Sequence, residues 1–318
     1  MNKLVYIVIL NYKNWSDVKE CVLSILDSTY SNYKIVVLDN ASGDQSIQKL
    51  ENWTTTEKLW EKIHTPELGF LSTQNENELR PELIVKFGKL NLIQNLQNDG
   101  FAAGNNVILK YLKDQDAWIW LLNPDTIVAP DTLQELVSYT SQQPFRSITG
   151  ATLKKYDNPS EIYSYGGGQI NWPTATIRFI TEIDELGNLD YLNGSCIFLH
   201  ASHFETLGLL PVKYFLYWEE TAWCYNAKRA GYKLNVCLKA ICYDKISATI
   251  GKSYLSDFYY TRNGLLFVQE YSKSNLKYAK FSTLLRIGRR LIAGQFDRAK
   301  GSLSGLRAFN KMKQNEDQ

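Results

Sequence analysis

The sequence predicts an α/β fold: a mostly parallel sheet flanked by helices, then a smaller mixed β region and a C-terminal helical segment. Three observations carry this. Four short, apolar, β-branched runs alternate with amphipathic stretches between residues 4 and 142, the pattern of a parallel sheet wrapped by helices. Beyond about residue 150 the runs shorten and become rich in Gly, Pro, Tyr and Thr, as in hairpins. From about residue 254 onward the apolar spacing is helical. A chain of 318 residues suits two domains, or one large domain with an appendage. The expected divisions are 1–126 for a ligand-binding half, 127–253 for a second half and 254–318 for the helical region.

Each element has a local reason. "LVYIVIL" (4–10) is continuously apolar, as a strand buried on both faces should be. Ser16 opens a helical segment whose Val18, Cys21, Val22, Ile25 and Leu26 share one stripe. "KIVVLDN" (34–40) is the second strand, followed by the turn "ASGD" and a short helix near 45–53. Residues 54–88 are polar, mixed and without a clear period, and read as a surface insertion placed to hang over a ligand. "LNLIQN" (90–95) and "AWIWLLN" (117–123) are the third and fourth strands, each followed by a helix, the last near 131–142. Further on, "ELGN" reads as a turn, "GSCIFLH" as a strand and "ASHFETLG" as a short helix ending on Gly208. "WEETAWCYNAKRAGYK" reads as a helix stopped by Gly231, and "LNVCLKAICYD" as a strand.

Composition excludes some classes. Hydrophobic residues at 44% and charged residues at 21% are ordinary for a soluble globular protein, and a net charge of +2 makes no general case for nucleic-acid binding. Five scattered cysteines without a C-x-x-C pair point to reduced, buried thiols in a cytosolic protein. His200 and His203 lack a partner at ligand spacing, so a metal role is not assigned to them. The N-terminal apolar run is too short for a signal peptide, and no stretch reaches the roughly 18–20 apolar residues of a membrane span. Arg286, Arg289, Arg290, Arg298, Lys300 and Arg307 alternate with Leu, Ile and Phe. They form either a solvated amphipathic pair of helices closing the fold, or a face for an anionic membrane.

In open parallel sheets ligands bind outside the carboxyl ends of the strands. Here the four strands end at Asn11, Asp39-Asn40, Asn95 and Asn123-Pro-Asp125. Any one of these is an ordinary turn former; four oxygen-bearing exits on one edge point to a site. A divalent cation on a diphosphate needs hard oxygen ligands and only one or two protein carboxylates, and Asp125 is placed to supply one. Asn123 would add a weaker amide oxygen or cap the turn. In "NDGFAAGNN", Gly100 and Gly104 would let backbone approach a ligand, with Asn105 and Asn106 offering amides.

"YIVILNYKNWSDVKECVLSIL", "KIVVLDNASGDQS", "NDGFAAGNN", "WLLNPDT" and "YFLYWEETAWCYNAKRAGY" together resemble the family 2 glycosyltransferases, in the same order along roughly residues 3–275, and most closely the rhamnosyltransferase-like branch. The resemblance implies a GT-A fold that binds a nucleoside-diphosphate sugar (dTDP- or UDP-linked) with Mg²⁺ or Mn²⁺ and inverts the anomeric centre. It implies that Asn11 lies in the first loop and that Asp39 contacts the nucleoside. Gly100, Ala103 and Asn105 would lie beside the ribose and diphosphate. Asp125 fills the last place of the metal motif, with Asn123 in its first place. Glu220 stands at the catalytic base, with neighbouring Glu219 as the alternative; the same pair at a helix start would also be favoured by the helix dipole alone.

Two departures from the family pattern stand out. Ala222 replaces an expected Asp, and Asp244 falls where a His is usual; Asp244 would ligate a cation with full charge but, when ionised, donates no hydrogen bond. Arg262 in "YYTRNG" either faces the diphosphate or pairs structurally. The expected activity is inverting transfer of rhamnose or another hexose to a glycan or lipid-linked glycan of a bacterial surface polysaccharide. The enzyme would be cytoplasmic, with peripheral membrane contact through the C-terminal helices and a homodimer both left open. The alternative is a nucleotide-sugar-binding subunit that has lost turnover.

Overall fold

The computed structural model describes residues 3–56, 82–87, 89–246 and 253–316. Strands β1 (Val5–Asn11), β2 (Tyr33–Asp39), β3 (Glu82–Phe87), β4 (Leu90–Gln94) and β5 (Trp118–Leu122) form one half of the main sheet. Within it β4, β2, β1 and β5 lie side by side and parallel, and β3 adds antiparallel to the outer edge of β4. The expected insertion is therefore not irregular throughout. Residues 82–87 pair their backbone with β4, as an open sheet edge invites; residues 57–81, read as hanging over a ligand, lie outside the described residues.

The other half reverses direction. β12 (Cys196–His200) runs antiparallel between β5 and β7 (Ser147–Lys155). β13 (Lys233–Asp244) lies parallel to β7, and the three-residue β6 (Thr126–Val128) closes the edge antiparallel to β13. β8 (Ile162–Tyr165) pairs with β7, and β9 (Gly167–Asn171), β10 (Thr176–Phe179) and β11 (Tyr191–Leu192) make a small antiparallel sheet. "ELGN" closes a 3-10 segment over Ile183–Asn188 rather than a simple turn.

The sheet is covered on both faces, which is why its strands read as unbroken apolar runs. Val5, Ile7 and Ile9 of β1 pack with α1 (Trp15–Leu26), α2 (Ser46–Thr56) and α4 (Thr132–Ser141). Tyr6, Val8 and Leu10 pack with α3 (Phe101–Leu112), α5 (His203–Leu207) and α6 (Glu219–Arg229). Each such Val or Ile contributes about 1.5–3 kcal/mol by leaving water. All five cysteines are free and buried.

The C-terminal region is three helices, not a pair: α7 (Tyr254–Tyr271), α8 (Leu276–Ile292) and α9 (Phe296–Glu316), around Leu265, Val268, Leu276, Ala279, Leu306 and Phe309. Ser253 starts α7 with a capping box. The basic stripe splits in two. Arg290 and Arg298 turn inward to the buried Asp257 at 2.5 and 2.8 Å, and Arg286 reaches Thr261. Arg289, Lys300 and Arg307 remain exposed.

Candidate functional site

The strand exits converge. Asn11 lies opposite Asp39 in the β1–β2 register. The Asp39 carboxylate accepts from Asn11 Nδ2 (2.6 Å), Ser42 Oγ (2.5 Å), the Ser42 backbone N–H (3.0 Å) and Gln94 Nε2 (2.8 Å). Next to it Asn40 accepts from Asn95 Nδ2 and donates to Asn98 Oδ1 and the Gly100 carbonyl. With four protein donors, Asp39 organises the floor of this cradle, and a base N–H would have to displace one of them.

The glycine-rich loop packs tightly against the protein itself. A Cβ at Gly100 (φ +91°) would sit 2.2 Å from the carbonyl oxygen of Phe215, and one at Gly104 would sit 2.7 Å from Leu10 Cδ1. The Phe215 backbone excludes a side chain at Gly100, whereas at Gly104 the nearest atom is the tip of the Leu10 side chain. Ala103 is half-buried at the start of α3; Asn105 is buried and donates to the Phe101 carbonyl, and Asn106 brackets Leu210 through both of its amide atoms.

At the mouth of β5, Asn123 donates weakly to Ser195 Oγ (3.4 Å), and its carbonyl accepts from Thr126 N–H, closing the turn. Asp125 is 8% exposed, immediately before β6. The β6–β13 register sets Thr126 beside Asp244, so two aspartates from distant sequence meet on one edge. Asp244 accepts from Ser195 Oγ (2.8 Å) and the Ile246 backbone N–H (2.7 Å). Burial and the neighbouring Asp244 charge push the Asp125 carboxyl up to about 7; burial also raises Asp244. Tyr163 of β8 is pushed up to about 12 by burial and by both aspartates.

This donor set fits a hard divalent cation. Both side chains offer only oxygen, and their mutual repulsion is what a cation would relieve. Among the described residues no cluster of three or more His, Cys, Asp or Glu forms, but Mg²⁺ and Mn²⁺ need only one or two carboxylates when phosphate oxygens and water complete the shell.

Glu219 and Glu220 open α6. Glu219 is 3% exposed with Oε2 lacking a partner among the described residues, whereas Glu220 is half-buried. A Cβ at Gly194 would lie 3.5 Å from Glu220 Cγ, so this side chain sits over the loop whose Ser195 holds Asp244. Burial raises both carboxyls, Glu220 up to about 7 and Glu219 well above the usual range, the latter also because of Glu220's charge. Of the two, Glu220 is the more exposed.

The approach to this pair is strained. Phe215, Tyr217 and Trp218 all have positive φ (64°, 63° and 77°). The chain there is held from α7. Asn263, fully buried, donates to the carbonyls of Tyr214 (2.5 Å), Leu216 (2.7 Å) and Tyr217 (3.0 Å), and Trp218 Nε1 donates to the Tyr260 carbonyl. The Phe215 carbonyl in turn accepts from the Phe101 N–H at 2.7 Å, tying the loop to the start of α3. Arg262 donates to the Tyr214 carbonyl (2.9 Å) and to Asn263, and stacks on Tyr259, which is the structural pairing of the two alternatives. Within "YYTRNG" it is Asn263, not the more conspicuous Arg262, that bonds the loop most extensively. Ser195 carries no sequence signal beyond its place at a strand entry beside Gly194.

Comparison with known proteins gives the family and the fold. A sequence model described as "Glycosyltransferase like family 2" matches residues 2–258. The low-salt glycan biosynthesis hexosyltransferase Agl10 of Haloferax volcanii is 23% identical over 234 residues, 73% of this chain and 64% of its own length. Among solved structures, GalNAc-T7 with UDP, GalNAc and Mn²⁺ superposes with a TM-score of 0.58 at 16% identity, over 88% of this chain and 54% of that one. The mannosyltransferase PcManGT of Pyrobaculum calidifontis, with GDP-Man and Mn²⁺, gives 0.56 at 12% identity, over 96% and 86%. The chain thus spans somewhat under two thirds of Agl10 and about half of GalNAc-T7. These neighbours are GT-A glycosyltransferases, and the expected GT-A fold holds.

Proposed function

The chain belongs to the glycosyltransferase-like family 2, and from that premise we propose that it is a metal-dependent, inverting hexosyltransferase using a nucleoside-diphosphate sugar. The observation that carries the reading is the arrangement around Gly194-Ser195: Ser195 holds Asp244 beside Asp125, while Glu220 lies against the neighbouring Gly194. A carboxylate pair for a cation and a separate carboxylate for a proton are what sugar transfer by direct displacement requires.

In that reaction the acceptor hydroxyl oxygen bonds the anomeric carbon as the bond to the diphosphate breaks from the opposite face. Glu220 takes the hydroxyl proton. Asp125 and Asp244 would hold Mg²⁺ or Mn²⁺, which when bound offsets the charge growing on the leaving diphosphate. The Asn11–Asp39–Gln94 cradle, with Ala103, Asn105 and Asn123 nearby, would receive the nucleoside and its phosphates. A dTDP- or UDP-sugar is the proposed donor, with rhamnose as the best candidate from the branch the motifs resemble. The acceptor would be a glycan or lipid-linked glycan of a surface polysaccharide, made on the cytoplasmic side. The glycan named for Agl10 and the Mn²⁺ bound by GalNAc-T7 and PcManGT support this reading.

The test is incubation with Mn²⁺ and a panel of nucleotide sugars. Release of nucleoside diphosphate, lost in Glu220→Gln with donor binding retained, is the expected result. Donor binding without turnover in both proteins would favour the binding-subunit reading that Ala222 and Asp244 motivate, and no binding at all would overturn the assignment.

A further inference from the structure

Helix α8 is apolar on two sides. Its Leu276, Ala279, Thr283 and Ile287 are buried against the rest of the protein. On the opposite arc Tyr278, Phe281, Leu284, Leu285, Leu291 and Ile292 recur at helical spacing and stand between 48% and 90% exposed, and Phe296 at the start of α9 continues the strip at 67%. Large side chains left in water along one contiguous arc mark an interaction surface.

Charge identifies what covers it. Residues 273–313 carry eleven Lys or Arg and one acidic residue, Asp297, leaving 24 basic against 32 acidic residues for the rest of a chain whose net charge is +2. Arg290 and Arg298 share the buried Asp257, which offsets one of their two charges, but Lys273, Lys277, Arg289, Lys300, Arg307 and Lys311 are exposed. Lys277 and Arg289 belong to α8 itself, directly beside Tyr278 and one turn from Leu285 and Ile292. Two copies meeting through this strip would bring cation onto cation. An anionic bilayer meets both demands at once, taking the aromatic and aliphatic side chains into the headgroup–acyl boundary and pairing the cations with lipid phosphates.

We infer that the outer face of α8, with Phe296, docks this protein on the surface of an anionic membrane, lying in the interface and not crossing it. No helix among the described residues is long and apolar enough to span a bilayer. Docking there suits the lipid-linked acceptor of the reading above but does not depend on it, because the test uses no sugar nucleotide.

The experiment is flotation with vesicles of phosphatidylcholine alone or with one third phosphatidylglycerol, for the wild type and for Phe281→Glu, Leu285→Glu and Ile292→Glu. These side chains are exposed, so folding is checked by matching circular dichroism and melting temperature. The wild type is expected to float with anionic vesicles and about tenfold less with neutral ones or in high salt, and each substitution is expected to weaken flotation by about tenfold. Failure of the wild type to bind anionic vesicles overturns the inference, as does binding that all three variants retain. A dimer in sedimentation analysis that the substitutions dissociate, without lipid binding, would assign the face to a second copy instead.

Discussion

Replacing Asn263 with Ala removes the side chain that gathers three carbonyls of the loop leading to Glu219 and Glu220. The two amide hydrogens serve acceptors at 2.5, 2.7 and 3.0 Å in a fully buried setting. At about 1 kcal/mol for each hydrogen so engaged, their loss is worth about 2 kcal/mol to the closed loop. The loop is already loaded: left-handed backbone at Phe215, Tyr217 and Trp218 costs about 1–2 kcal/mol per residue. A loss of about 2 kcal/mol raises the open fraction about 30-fold. Amide hydrogen exchange should therefore quicken by about that factor across 214–222 and at Phe101, whose N–H bonds the Phe215 carbonyl. In turnover assays kcat should fall by a larger factor than donor affinity, because Asn263 bonds the loop before Glu219 and not the residues around Asp39. Exchange and kcat unchanged in Asn263→Ala would refute the claim that α7 positions the base.

Other outcomes follow from the same site. Because burial raises the Glu220 carboxyl to about 7, kcat/KM should rise with pH through a midpoint near that value as the base form appears; a profile flat from pH 5.5 to 8.5 would exclude Glu220 as the base. The same shift carries a stability sign: a carboxyl raised on folding favours the protein at low pH, so a Glu220→Gln variant should lose less stability than wild type as pH climbs from about 4.5 to above 7. Mn²⁺ should raise the melting temperature of the wild type, whereas Asp244→Asn, which removes one of two neighbouring carboxylates, should lose most of that gain while melting as high or higher without metal; an equal Mn²⁺ response would place the cation elsewhere.

The parallel half of the sheet was legible because both its faces are covered, so "LVYIVIL", "IVVL" and "AWIWLL" carry apolar side chains at consecutive positions rather than every second one. The convergence of Asn11, Asp39, Asn95 and Asp125 was legible for the same reason: parallel strands end on one side. What stayed hidden depends on long-range register. Asp125 and Asp244 meet only because β6 folds back against β13. What bars a side chain at Gly100 is Phe215, more than a hundred residues away. β3 went unread because "ELIVKF" borrows its stability from β4. The arginines of α8 and α9 looked alike in sequence, and only the buried Asp257 separates those that hold the helices together from those that face outward.

Calorimetric titration of a UDP- or dTDP-sugar, with Mn²⁺ or with chelator, into wild type and Asp125→Ala reads the central claim without requiring an acceptor. Binding should weaken at least about tenfold on chelation and again in the variant, with the variant insensitive to metal. Affinity indifferent to both the chelator and the loss of the Asp125 carboxylate would contradict it.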